Sequence, residues 1–352
     1  MREATRVTRA ILIAISLVAL AVIVWKLSVV VTVAFGGVIG ATLLRGLALP
    51  LGRRTGLAER WSLVLTIIGL FALVSALSWL FGQQAAEQIA EMQQLIPQAI
   101  DRLRTVLRSS GDGSAVIDSI KKVSTDSKTI SSVGLAAGAV VLGIGDIVLV
   151  FFLSIYFAFS PREYLDGLLR LLPPIRRPQV KTVLMTAGDA LRKWLLAQLA
   201  AMVVIGLLVG VSMGLLRVPL ALLLGALAFV FEFVPVIGPI VFTIPGVLVA
   251  FTQGPAKAFY VLLVYIGVQQ LESNIILPLL QRWAARLPPA VTLLSVVVGG
   301  ILLGPTGVIV ATPLAVVAMT LVEHLYVENT LEHHPEPVAR DSGSQNDQGR
   351  TS

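Results

Sequence analysis

Cysteine is absent from the 352-residue chain, which excludes disulfides, thiol nucleophiles and thiolate metal sites. Histidine is nearly absent: His324, His333 and His334 all lie in or beside the C-terminal tail. Neither an imidazole metal site within a membrane nor a Ser-His-Asp triad can be built from them, and no cofactor is implied. With no nucleophile–base pair visible in any apolar run, an enzyme is the least expected reading. The phosphate-binding pattern G-x-x-x-x-G-K-[ST] is missing, so nucleotide-driven transport would need a separate subunit. Charge is scarce at 13% of residues, far below what a soluble domain of this length needs to cover its surface. Regular polar–apolar alternation is weak, which argues against a β-barrel.

What the chain has instead is hydrophobicity, at 56% of residues. Several runs exceed about 18 apolar residues, enough to cross a hydrocarbon core about 30 Å thick. The expected fold is all-α: a polytopic helical membrane protein of about eight transmembrane segments, one of them broken or re-entrant, with a small extramembrane helical insertion. The net charge of +7 is not a nucleic-acid signal, because the basic residues sit in short segments flanking spans, the positive-inside pattern.

Taken in order, Ala10–Trp25 and Leu27–Leu44 read as a hairpin of two spans, with Gly36, Gly37 and Gly40 allowing close helix approach. A basic loop with Arg45, Arg53, Arg54 and Arg60 leads to a third span, Trp61–Phe81, closing an N-terminal unit over 1–81. Residues 82–132 change character. Ile89, Met92, Ile96, Ile100, Leu103 and Leu107 recur at steps of three and four, as on an amphipathic helix. A turn (SSGDGS, 109–114) and a second helix follow, and the balanced charges make this an extracytoplasmic insertion. The fourth span, 133–159, carries Asp146, either a pathway residue or an interhelical hydrogen-bonding group. The basic segment 160–193 belongs to the cytoplasm, 194–324 forms a C-terminal transmembrane core, and 325–352 is a polar, disordered cytoplasmic tail.

That core centres on FEFVPVIGPI, Phe231–Ile240. Pro235 and Pro239 each remove a backbone donor, so a regular helix cannot pass. A broken backbone at membrane depth is tolerated only where it is buried in protein or lines a cavity. Glu232, beside the break, is either a pathway carboxylate or a cap for freed amides, and Gly238 completes the motif. The run Val218–Thr252 is too long for one perpendicular helix. It needs two half-helices, a strong tilt or a re-entrant hairpin. The seventh span holds QQLESNIILP, with Gln269, Gln270, Glu272 and Asn274, polarity that is expensive unless it meets water, a solute or a polar neighbour. The eighth, 289–324, is interrupted by Gly299, Gly300, Gly304, Gly307 and Pro313, candidate hinge or gate positions.

On these residues the chain resembles the autoinducer-2 exporter family of bacterial permeases. The likeness is densest over Lys193–Thr320: VPLALLLGALAFVFEFVPVIGPI with its P-x-x-G-P core, QQLESNIILP, and GGILLGPTGVIVATPLAVV. Two departures are visible: Pro288 stands where relatives often place a histidine, and Val236-Ile237 where they often carry an aromatic. The resemblance implies a transporter in a bacterial inner membrane. For some members it is an exporter of autoinducer-2, a small polyhydroxylated signal; other members are linked to sodium–proton antiport. It also implies a homo-oligomer, a pentamer, with the insertion on the outer face.

Three functions remain open at this level. One is a permease for a small polar solute using Glu232 and Glu272, with Gln269, Gln270 and Asn274 as neutral partners. Another is a cation–proton antiporter drawing on Glu232, Glu272 and Asp146. A third is an oligomeric channel or scaffold without coupled transport. The partners are a lipid bilayer, a small polar solute or ion, and further copies of the chain, with no nucleic acid.

The charge distribution generates a topology test. Single cysteines at Ser110 and Arg177, in a chain with none of its own, are expected to react with an impermeant reagent from opposite faces of the membrane. Reaction from the same face would overturn the assignment.

Overall fold

The computed structural model describes residues 30–109, 144–282 and 287–324. The expected first span, the second insertion helix, the start of the fourth span and the tail lie outside the described residues. Every regular element among the described residues is helical. Among the described residues, five helical stretches are long and apolar enough to cross a membrane: Val30–Thr55, Glu59–Arg102, Pro174–Leu215, Pro255–Leu280 and Pro289–Val322.

Helix α1 (Val30–Thr55) carries the three early glycines, and their partner is α3 (Ile144–Phe159). A Cβ on Gly40 would lie 2.1 Å from Ser154 Oγ, and one on Gly37 2.8 Å from Leu153 Cβ. The absent side chains let the two helices touch backbone to side chain. No helix end falls at Gly82: α2 runs unbroken over Glu59–Ser109, 51 residues, or about 75 Å at 1.5 Å per residue. Its middle, FGQQAAEQIAEMQQL, is rich in strong helix formers, and one glycine costs about 1 kcal/mol, too little to end a helix. The third span and the first half of the insertion are therefore one rod. After α3 the chain turns by 88° into α4 (Pro161–Arg170), with Pro161 in its first turn, where a missing N–H is harmless.

Helix α5 (Arg177–Leu215), 39 residues, likewise fuses the basic segment to the fifth span. Its buried seam steps by three and four through Val183, Ala187, Leu191 and Trp194 to Ile205, Val209 and Met213. The helices Ala221–Phe231, Pro255–Leu271 and Pro289–Val322 pack along it. Two left-handed residues, Arg217 (φ 53°) and Leu220 (φ 63°), turn the chain back into α6 (Ala221–Phe231). There Gly225 meets Gly206 and Gly210 with backbones nearly touching: a Cβ on Gly225 would lie 2.8 Å from Gly210 Cα.

The alternatives left open for Val218–Thr252 are resolved by α6 and α7 (Ile237–Phe251). At 11 and 15 residues each is about 16–23 Å long, shorter than the hydrocarbon core. Their outer ends meet, since Gln253 Nε2 donates to Arg217 O at 3.2 Å. The pair is a hairpin that enters and leaves by one side, with its apex at 232–236. Helix α8 (Pro255–Leu271) follows, widens through a π-helical turn over Glu272–Ile276, and ends as α9 (Leu277–Gln281). Pro278 explains the widening: its ring crowds the carbonyl four residues back, at Asn274.

The last expected span is also a hairpin. Helix α10 (Pro289–Val322) is interrupted at Gly304, with φ 65° and ψ −151°. Gly299 and Gly307 would be about 12 Å apart along a straight helix. Here a Cβ on Gly299 would lie 2.6 Å from Gly307 O, so the two arms fold back on each other. Val316 and Leu287 at its base cluster with Leu191, Trp194 and Leu195 near the middle of α5. The two hairpins thus join at different ends of one seam, the first beyond Leu215 and the second beside Leu191.

Gly225→Ala is expected to destabilise the fold by about 1–3 kcal/mol through overpacking against α5. Gly214→Ala, where a Cβ meets nothing within 4 Å, should leave the thermal transition of the detergent-solubilised protein in place. Equal transitions for both variants would mean that the α5–α6 seam is not tight.

Candidate functional site

The apex of the first hairpin is built from irregular backbone. Val236 has φ 71°, a conformation that costs a non-glycine residue on the order of 1–3 kcal/mol. Gly238 lies so close to the preceding arm that a Cβ would sit 2.1 Å from Phe231 O. Pro239 is buried in the first turn of α7, where a proline costs no helix bond. One apex carbonyl, that of Glu232, is satisfied from another helix: Gln198 Nε2 on α5 donates to it at 2.6 Å.

The Glu232 side chain is buried, with 2% of the residue exposed. Its carboxyl neighbour is Glu272 in the π-helical turn. Glu272 Oε2 in turn accepts from Gln269 Nε2 at 3.0 Å. Among the described residues neither carboxyl forms an ion pair, and Glu232 Oε2 has no hydrogen-bond donor. A hydrogen bond between two carboxyl groups requires one of them to supply the O–H.

The other polar residues of this stretch do not join the pair. Gln270 and Asn274 are exposed, and bond each other: Asn274 Nδ2 donates to Gln270 Oε1 at 3.0 Å and to Gln270 O at 2.9 Å. The π-helical turn splits QQLESN into an inner face (Gln269, Glu272) and an outer one. Asp146 stands in the first turn of α3, in the group of α1, α2 and α4. Gly299, Gly300, Gly304 and Gly307 shape the second hairpin, with a Cβ on Gly300 3.1 Å from Val308 Cγ2. Pro313 is buried in the returning arm.

Where the first apex meets the base and returning arm of the second hairpin lies a cavity of about 160 Å³. Pro235 and Val236 line it from the apex, Gln198 from α5, and Thr292 and Thr312 from α10. Among the described residues no lysine or arginine lines it. Thr312 is buried and its hydroxyl has no partner among the described residues. Gln198 and Thr312 were not singled out from sequence. A lone amide within the apolar run 194–216 was the available signal for Gln198; nothing in the sequence marks Thr312. Tyr265, also buried with an unpartnered hydroxyl, packs that hydroxyl against Gly246.

Comparison with known proteins gives a consistent picture. The sequence profile of the AI-2E family transporter matches residues 11–327. A candidate transport protein of Mycobacterium tuberculosis, MT0215, is 26% identical over 273 residues, 73% of each chain. The candidate transport protein YrrI of Bacillus subtilis is 27% identical over 163 residues, 46% of each chain, so the match spans about half of that relative. The AI-2 transport protein TqsA of Escherichia coli is 29% identical over 138 residues, 39% of this chain and 40% of that one.

The tight apex suggests a direct test of its role. A methyl group at Gly238 must push Phe231 O away from 2.1 Å, and backbone yields poorly. Gly238→Ala should suppress transport in proteoliposomes while the protein still elutes as a single folded species. Unimpaired flux in that variant would reduce the motif to a kink.

Proposed function

This chain belongs to the AI-2E transporter family, a membrane permease family, and from that membership we propose that it carries a small polar solute through the cavity between its two opposed hairpins. The observation that supports the reading is the juxtaposition of an irregular apex, a buried carboxyl pair and an uncharged cavity at one level of α5. Broken spans suit this work because their ends leave backbone groups free to meet a solute. Among the described residues the cavity wall offers an amide and hydroxyls, which suits a neutral, hydroxyl-bearing cargo. The name of the TqsA relative points to autoinducer-2, a cargo of that kind. The Glu232–Glu272 pair would couple passage to a proton, with Gln269 holding Glu272 in place.

A second reading, exchange of a monovalent cation for protons, is favoured by one feature: the carboxyl pair has no basic partner, so a cation and a proton would compete for the same oxygens. In both readings the protein works in the bacterial inner membrane with both termini in the cytoplasm, as a homo-oligomer.

Proteoliposome flux of autoinducer-2, sodium and protons separates these possibilities. Wild-type flux is expected to depend on pH, and Glu232→Gln or Glu272→Gln to flatten that dependence. If both variants keep the wild-type rate and pH profile, the pair is structural and an uncoupled channel or scaffold replaces the permease.

A further inference from the structure

Far from the hairpins, four helix ends converge at one face of the membrane: the end of α1, the starts of α2 and α4, and the end of α3. Between them lies a cavity of about 450 Å³ lined by Arg45, Glu59, Arg60, Ser160, Arg162 and Glu163, among others. It adjoins a second of about 350 Å³ that shares Arg45 and Glu59 and adds Arg53. Four arginines therefore face two glutamates. Arg45 is committed, donating to Ala158 O at 2.8 Å and bonding the Glu59 carboxylate. Arg53, Arg60 and Arg162 make no ion pair among the described residues. Arg162 also stands close enough to Arg45 for the two charges to repel. An anion seated here would relieve that repulsion.

The surroundings decide which anion. The rim is apolar and aromatic, with Leu57, Trp61, Phe159 and Tyr164 all exposed. Such a rim at the end of spans matches the headgroup level of a bilayer. The 88° bend between α3 and α4 lays α4 along that level when α3 crosses the membrane. A ligand here needs a negative headgroup for the arginines and chains that run on along the exposed faces of α2 and α3, where Leu65, Ile68, Phe151 and Phe152 are bare. We propose that this arginine-lined cavity is a binding site for the phosphate headgroup of an anionic phospholipid.

The test uses the full chain in detergent, titrated with phosphatidylglycerol, phosphatidylcholine or inorganic phosphate and read by native mass spectrometry and thermal unfolding. Phosphatidylglycerol should bind and raise the transition, and phosphatidylcholine should not. Each surface arginine contributes roughly fivefold in affinity for anionic lipid, so Arg60→Gln with Arg162→Gln is expected to weaken phosphatidylglycerol binding by about 30-fold. Arg170→Gln with Arg176→Gln, exposed residues outside the cavity, should leave it within about twofold. The proposal fails if wild type does not discriminate between the lipids, if the outer pair of substitutions weakens binding as much as the inner pair, or if inorganic phosphate alone reproduces the shift. Should the inner variant not fold, Arg60→Gln alone is read the same way, with about fivefold as the expected loss.

Discussion

Backbone amides and carbonyls in a hydrocarbon layer have no water to turn to, and this constraint governs how the hairpins are built. Both interrupt a helix, and both hairpins have residues packed against α5. The bond from Gln198 Nε2 to Glu232 O shows the constraint acting at a single atom: a side chain from the spine supplies what the broken helix has lost. An unmet carbonyl there would cost about 1–3 kcal/mol. The position of the apex along α5 is thus fixed by chemistry as well as by fit.

Fit along the spine comes from small residues. Gly206, Gly210 and Gly225 bring α5 and α6 to backbone contact, and Gly299 and Gly307 do the same between the arms of the second hairpin. In an apolar medium, packing of this kind replaces the hydrophobic drive available to soluble helices. The seam on α5 is divided: its lower part, around Leu191 and Trp194, holds the base of α10 and the apex residue Phe233, while Ile205, Val209 and Met213 hold the first hairpin's arms. A change in either hairpin is therefore felt at the shared level of Trp194 to Ala201, where the cavity lies.

The far end of the first hairpin is tied differently. Gln88 Oε1 on α2 accepts from Leu223 N, and Arg102 donates to Thr252 O. Met92 and Leu95 of the same helix pack on the hairpin core. The continuity of α2 matters here, because a 51-residue rod connects the arginine-rich membrane face to this clamp without a joint. This stretch of α2, through Met92 and Leu95, is consequently part of the hairpin's packing.

From its sequence alone the chain declared its membrane nature, its helical class and its family resemblance, because hydrophobic run length and proline or glycine punctuation are local properties. The break at Pro235–Pro239 and the polarity of QQLESN were readable for the same reason: each residue type is costly where it stands. Direction was not readable. Whether Val218–Thr252 kinks onward or turns back depends on which surface its second arm finds, and the meeting of Arg217 with Gln253 is a contact 36 residues apart. The reversal at Gly304 likewise required Gly299 and Gly307 to find each other across the bend. Helix ends expected at Gly82 and Lys193 vanished, since the residues on both sides favour helix and nothing local stops it. The pairing of Glu232 with Glu272, the exclusion of Gln270 and Asn274 from that pair, and the recruitment of Gln198 and Thr312 were decided only in three dimensions. Sequence lists which side chains are costly to bury; tertiary packing decides which of them face one another.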